Sequence, residues 1–466
     1  MAFTSPNFIL FLVVVLLIYW LPVGERYRMS WQNAMLILSG MVFYAISQWY
    51  YLLLLLLLGI ITFYGVLLMH QHVLKGKGNG IKIAGIVLLL LVLFLFKYEM
   101  YCRYFIEQQL SGTHLTSWIL PLGISFFTFQ LIGYWIDVYQ ENITPCRSLF
   151  RFMAYLFYFP KIMSGPIERV QHAMPYFERT RYFDRFLAEE GLRQFVWGLF
   201  KKRLVADTLS LYIYGVFQSD SHALGGDMAL ACLLFPLQLY ADFSGYSDMA
   251  LGISKLFGIR LSINFRYPFL AKNISDYWQR WHISLTSWMM DYVYTPMAFS
   301  LRRWGKLGLI LSVLTTFTLV GIWHGPHWNY VVFGLIHGVY FIPRVVFNAS
   351  WERFFPRPIQ LVLLYMLVSI TSVLLLSNQL IDAWLAIKQM STTFSFQYPV
   401  YDITRPLFLI SVVLLLVFDS LGQTSEFPLT ETVITHKWLR GVFVFLLLMA
   451  VFYVQNEQFD FLYLKF

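Results

Sequence analysis

The strongest constraint on this fold is the recurrence of apolar runs close to the roughly 20 residues an α-helix needs to cross a bilayer. They fall at residues 8–22, 32–47, 50–69, 82–97 and 117–138, and again at 306–323, 329–347, 359–378, 405–420 and 438–455. The expectation is an all-α polytopic membrane protein with roughly 11–13 transmembrane or re-entrant helices. A β-barrel would alternate apolar and polar residues along each strand, whereas Leu52–Leu58 is an unbroken leucine run. With 58% hydrophobic and 13% charged residues, a soluble domain of this length has no interior large enough to hide the apolar surface.

The formal charge is +9. The basic residues sit in short stretches: Arg26 and Arg28; Lys75, Lys77 and Lys82; Lys201, Lys202 and Arg203; Arg302, Arg303 and Lys306. That pattern predicts cytoplasmic loops facing anionic lipid headgroups. No clustered basic face of the nucleic-acid-binding kind is present, so nucleic acid is not an expected partner. Counting spans back from the basic, Gly-rich loop 71–82 puts the N-terminus and the polar stretch 98–115 outside. The N-terminus has neither a basic n-region nor a small-residue cleavage site, so residues 8–22 read as a retained first helix. The three cysteines, Cys102, Cys146 and Cys232, have no metal-site or disulfide spacing. There is no low-complexity linker and no transporter-type repeat. The chain reads as a single domain, 1–466, with N-terminal spans (1–97), a core (98–345) and C-terminal scaffold spans (346–466) with few interior polar groups.

Polar islands interrupt this apolar background, and a polar group at bilayer depth is a functional candidate because it is expensive unless paired or used. Residues 150–190 mix aromatics with Lys161, Glu168 and three prolines, which suggests amphipathic or re-entrant pieces; Ser164-Gly-Pro166 permits a sharp turn. Asp242 and Asp248 flank a Phe-Ser-Gly-Tyr-Ser sequence. Asp242 is expected to pair inside the protein, with Arg280 or Lys161 as partner, and Asp248 to cap a following helix. The Trp-rich segment 274–298 is too polar for a lipid-facing span and reads as tilted or interfacial helices. Matches to Asn-x-Ser/Thr occur at Asn142, Asn273 and Asn348; Asn273 lies too near the polar core for a glycan.

Two histidines stand out within these islands: His282, in Arg280-Trp-His-Ile-Ser284, and His324, in Gly321-Ile-Trp-His-Gly325. Imidazole is the side chain best placed to move a proton near neutral pH. As a general base, His324 would deprotonate a hydroxyl so that its oxygen attacks an acyl donor; the plainer alternative is a neutral histidine bonded to a carbonyl at a helix end. His282 would orient a reactant or share the proton, or would simply be locked by a nearby hydroxyl. His327 lacks a neighbouring carboxylate or cysteine, and Pro326 is expected to break the helix between it and His324, so no metal site is expected. His337 is either a packed polar residue or a partner of the site.

In order along the chain, Leu120-Pro-Leu-Gly-Ile-Ser-Phe-Phe-Thr-Phe-Gln130, Asp137-Val-Tyr139, Ser164-Gly-Pro-Ile-Glu-Arg169, Gly198-Leu-Phe-Lys-Lys202 with Ala206-Asp207, Asp242–Ala250, Arg280–Leu285 with Asp291-Tyr292, Trp323-His-Gly325 and His337-Gly338 resemble the membrane-bound O-acyltransferase superfamily. The nearest resemblance is to its bacterial branch for alginate and peptidoglycan O-acetylation, and the aromatic C-terminus, Tyr463-Leu-Lys-Phe466, resembles that branch too. The resemblance implies a many-helix membrane fold with a funnelled middle, His324 as the catalytic base and His282 as the second family histidine. It implies no cofactor beyond a cytosolic acyl donor such as acetyl-coenzyme A. An extracytoplasmic transferase or other polysaccharide-modifying partner, and residence in the cytoplasmic (inner) membrane, follow from the same likeness. Candidate substrate contacts are Tyr240, Asp242 and Ser244 in the polar island, Arg280 and Trp281 before the first histidine, and Trp323 and Asn329 around the second. The chain departs from the branch at Gln279, where a second arginine is usual. Two rival readings are D-alanyl transfer toward teichoic acid from a carrier-protein thioester, and a transporter or channel without chemistry of its own.

Overall fold

The computed structural model describes residues 2–74, 76–109, 119–163, 165–218, 224–347, 354–377, 379–396, 406–423, 425–454 and 459. Lys75, Ser164, Asn348 and residues 463–466, singled out above, lie outside them. Among the described residues the secondary structure is helical with no strand. Six stretches are long and apolar enough to cross a membrane: Glu25–Val73, Asn79–Lys97, Gly225–Leu256, Arg302–His324, Trp328–Phe347 and Arg357–Leu376. Pro6–Tyr19 and Pro406–Leu421 are shorter apolar helices. The all-α, multi-pass architecture expected from the hydropathy pattern is therefore the one observed.

The fold divides into two compact units. The first comprises residues 1–191 and 250–262. Its first helix starts at Pro6, where Ser5 accepts the Phe8 N–H at 3.2 Å and a proline suits the first turn. The helix Ile124–Tyr139 is buried along almost its whole length, and its Trp135 ring lies against Gly65 and Gly85, where a Cβ would collide with the indole. The Pro-punctuated stretch forms short helices, Leu149–Leu156, Phe159–Met163 and Val170–Glu178. Lys161 and Glu168 both find partners within this unit. Lys161 Nζ donates to Gln130 Oε1 at 2.6 Å and sits 3.3 Å above the Tyr155 ring. Glu168 accepts from the Ser262 N–H and hydroxyl, both at 2.9 Å.

The second unit comprises residues 192–249 and 263–466. Two expectations are corrected in it. Lys201, Lys202 and Arg203 are not in an exposed basic loop: they form a buried π-helical turn, Lys201–Ala206, within a helical run that continues to Gln218. The island after residue 240 is not a loop with a capped helix behind it. One helix, Gly225–Leu256, runs through it with Pro236 inside. The two corrections share a cause: lysines of the π turn pair with carboxylates of that helix, so polar residues of turn-like composition stay helical. Lys202 Nζ lies 2.7 Å from Asp242 and 2.9 Å from Asp207. Lys201 Nζ lies 2.5 Å from Asp248 and 2.8 Å from Ser244 Oγ. Asp242 thus pairs with Lys202 rather than Arg280 or Lys161, and Asp248 binds a lysine rather than capping. The close approach depends on glycine, since a Cβ on Gly198 would fall on the Gly245 carbonyl. Single-turn π-bulges inside α-helices occur frequently at functional sites.

Candidate active site

His324 is the last residue of the helix Gly305–His324. Gly325, Pro326 and His327 follow before the helix Trp328–Val339 begins, and proline cannot continue the first helix. His327 therefore does not share a helical face with His324. The two helices pack closely because small residues line their contact: a Cβ on Gly321 would fall on the Tyr330 carbonyl, and one on Gly334 on the Phe317 carbonyl. The His324 ring is 4.9 Å from Trp323, 6.4 Å from Tyr330 and 6.0 Å from Phe333, centroid to centroid.

The segment 274–298 folds as short helices, Ile274–Arg280 and Ile283–Met289, followed by a π turn, Met290–Tyr294. Asn273 caps the first by accepting the Asp276 N–H at 2.9 Å, which gives this asparagine a structural use. His282 joins the two helices in a left-handed conformation, φ 44, a region costly for a residue with a Cβ and typical of functional sites. Its neighbours hold it there. Its carbonyl accepts the Thr286 N–H at 2.9 Å, the Ile283 N–H donates to the Asn264 carbonyl at 2.8 Å, and the Ser284 hydroxyl donates to Asn264 Oδ1 at 2.9 Å. The ring lies 4.7 Å from Phe243 and 6.3 Å from Trp323. Burial pushes the His282 pKa down to about 3, so the imidazole is neutral near pH 7.

His282 and His324 line one narrow cavity, together with a third histidine, His337. Its aromatic wall is Tyr277, Trp278, Trp281 and Phe333, and its aliphatic wall includes Leu239, Leu285 and Val368, with Ser372 as a further polar group. The volume is about 30 Å³. A water needs roughly 10–15 Å³ of such space, so there is room for about two water-sized groups. An acetyl group is of that size.

The other sequence candidates fall into distinct places. Trp281 lines the cavity. Trp323 is buried between the two histidines' rings. Arg280 is bound by Asp276, Nε to Oδ1 2.7 Å, beside the Arg266 carbonyl. Asn329 Nδ2 donates to the carbonyls of Leu374 at 2.9 Å and Ser377 at 2.6 Å, closing the C-terminal end of the helix Arg357–Leu376. Asp242, Ser244 and Tyr240 belong to the buried polar network, the Tyr240 hydroxyl lying 2.7 Å from Asp419 Oδ2. None of those three is among the cavity-lining side chains. Asp419 was not among the residues expected at the site, although a carboxylate inside an apolar run is itself a signal of interior pairing. Among the described residues no cluster of metal-ligating side chains occurs.

A model of the membrane-bound O-acyltransferase family matches residues 146–378, a span that contains both histidines and the cavity. The chain belongs to the membrane-bound O-acyltransferase family. Its relatives include the probable alginate O-acetylase AlgI of Pseudomonas aeruginosa, 34% identical over 394 residues, covering 82% of this chain and 74% of the relative. The peptidoglycan O-acetyltransferase of Helicobacter pylori is 30% identical over 382 residues, 76% of this chain and 72% of the relative. The teichoic acid D-alanyltransferase of Bacillus subtilis is 31% identical over 231 residues, only 47% of this chain and 57% of the relative. A member of this acyltransferase family is an enzyme, which removes the reading as a transporter or channel without chemistry.

Proposed function

We propose that this membrane-bound O-acyltransferase moves an acetyl group from cytosolic acetyl-coenzyme A toward the hydroxyls of an extracytoplasmic polysaccharide, from the cytoplasmic membrane and with an extracytoplasmic partner that completes delivery. The observation that carries the reading is the placement of His282 and His324 on one small, aromatic-walled cavity. Its size suits a two-carbon acyl group, and the relatives matched over most of their length bear the names of O-acetylating proteins.

In the proposed reaction, His324 takes the proton of the acceptor hydroxyl. The oxygen attacks the thioester carbonyl, the C–S bond breaks, and the proton passes from His324 to the departing thiolate, leaving ester and free thiol. The positive charge that develops on His324 sits at the C-terminal, negative end of the helix Gly305–His324, an arrangement generally worth about 0.3–1 kcal/mol. His282, neutral and conformationally fixed, orients a reactant; Trp281 and Trp323 exclude water. Basic residues at the cytosolic face, such as Arg302 and Arg303, attract the donor's phosphates.

The test compares wild type with His324→Ala in a host lacking the gene, reading the acetyl content of surface polysaccharide and, with purified protein, thiol release from acetyl-coenzyme A. Loss of both with normal membrane insertion is expected. Near-normal transfer by the variant refutes the assignment of the base, and turnover of a D-alanyl-loaded carrier protein in place of acetyl-coenzyme A refutes the donor.

A further inference from the structure

His337 lies 55 residues beyond His282 in sequence, yet lines the same cavity and is 1% exposed. Both of its ring nitrogens are engaged. The Trp278 Nε1–H donates to His337 Nδ1 at 3.4 Å. Indole nitrogen is a donor only, so Nδ1 accepts and the ring proton resides on Nε2, which donates to Thr371 Oγ1 at 3.3 Å. The threonine hydroxyl in turn donates to the Leu367 carbonyl at 2.8 Å. Phe333, at 4.5 Å, and Trp278, at 5.3 Å and 88°, pack against the imidazole. A histidine held this way has a fixed tautomer and no lone pair left to accept a substrate proton.

What the chain of bonds connects gives it a purpose. Trp278 is on the helix Ile274–Arg280, which has seven residues, too few to hold its own position in isolation. That helix leads through Trp281 into the left-handed His282. His337 is on the helix Trp328–Val339, one turn after Gly334, where that helix abuts the His324 helix. The route from one reacting histidine to the other is therefore His282, Trp278, His337, Gly334 and His324.

We propose that His337 is a positioning residue: through Trp278 it sets the His282 segment against the helix pair that carries His324, and so holds the two histidines in register for acyl transfer. The proposal rests on the reading of His282 and His324 as the reacting pair.

The test uses the full-length protein in lipid nanodiscs with acetyl-coenzyme A as donor and host-cell polysaccharide as acceptor, following thiol release. His337→Phe keeps a ring without an acceptor, and Trp278→Phe keeps a ring without a donor. Each is expected to lower kcat by about 10–100-fold, the effect of a misplacement near 1 Å, while the donor KM stays within about threefold. Because both variants delete one bond, the double variant should be no worse than the poorer single, the signature of coupled sites. His337→Gln, which can still accept from the indole, should recover most of kcat. The pH profile should keep its wild-type shape in every variant.

Wild-type kcat in His337→Phe overturns the proposal, as do losses that multiply in the double variant. A displaced pH profile also overturns it, because His337 would then be moving a proton. If His337→Phe fails to fold, Trp278→Phe decides by the same kcat-against-KM criterion. Undiminished turnover by His324→Ala, run alongside, refutes the underlying reading whatever His337 does.

Discussion

Replacing Asp242 by alanine removes one of two carboxylates that touch Lys202 Nζ, the one at 2.7 Å, and leaves Asp207 at 2.9 Å. All three side chains are buried, at 2%, 1% and 0% exposure for Lys202, Asp242 and Asp207. At an effective dielectric near 20, two unit charges at this separation attract by about 6 kcal/mol, most of it offset by the cost of removing both from water. Deleting one partner of a buried pair costs about 3–5 kcal/mol, because the other charge stays buried. Asp207 remains but is already shared with Arg203 at 2.9 Å. The loss expected for Asp242→Ala is therefore near the lower end, about 3 kcal/mol. Adding Lys202→Met leaves Arg203 opposite Asp207, one charge against one, and should recover more than half of the loss. The assay is thermal unfolding in detergent, read by tryptophan fluorescence, beside the donor KM of whatever fraction remains folded. A contact with substrate predicts the opposite pattern. Asp242→Ala as stable as wild type, with the donor KM raised tenfold or more, would show that the carboxylate is used on substrate and that the ion network is incidental.

Gly334→Val places a side chain on the Phe317 carbonyl and wedges apart the helices carrying His324 and His337; acyl transfer should fall about 100-fold, whereas Gly441→Ala, in open space, should leave turnover unchanged. Asn329→Ala frees two buried carbonyls, so a stability loss of about 1–3 kcal/mol is expected in chemical denaturation, with the KM of the folded fraction unmoved. Because the folded pKa of His282 is about 3 against 6.5 unperturbed, the unfolded chain binds the extra proton first: stability is fully present above about pH 6.5 and declines as pH falls toward 3. His282→Asn should flatten that acid slope in pH-dependent melting; an unchanged slope refutes the neutral, buried assignment.

Much of this architecture was legible because hydrophobic length is a one-dimensional property. The runs at 82–97 and 359–378 became the helices Asn79–Lys97 and Arg357–Leu376 with shifts of a few residues, and the break at Pro326 was a matter of local backbone chemistry. The charges were misread because their meaning depends on partners the sequence does not place. Lys201, Lys202 and Arg203 look like a positive-inside loop when counted as a cluster. They are buried because Asp242 and Asp248, some forty residues away, come to them across a contact that two glycines permit. The same partners explain why Asp242–Asp248, whose composition suggests a turn, stays in one long helix. Only Arg203 with Asp207, at the i,i+4 spacing, was visible in sequence.

The two histidines illustrate the limit from the other side. Sequence singled both out as polar groups in an apolar chain, ranked His324 first because it ends a span beside a small-residue kink, and the family resemblance gave the same order. The surroundings of the two rings favour the order that the proposed mechanism gives them. His324 ends a 20-residue helix, so positive charge arriving there meets the dipole's negative end. His282 is fully buried, and its carbonyl and the neighbouring N–H groups are spent on fixing a left-handed backbone. A proton placed on His282 would meet the full cost of burying a charge. A base must accept a proton and give it back within one turnover, whereas a positioning group must keep its state; in the proposed mechanism these environments suit His324 to the first duty and His282 to the second. On that proposal, exchanging the environments, not the imidazoles, is what would exchange the proposed roles. A buried carboxylate introduced beside His282, by Phe243→Asp, should make that histidine titrate and bring a second ionisation into the pH profile of kcat, and a profile unaltered by that change would contradict the division.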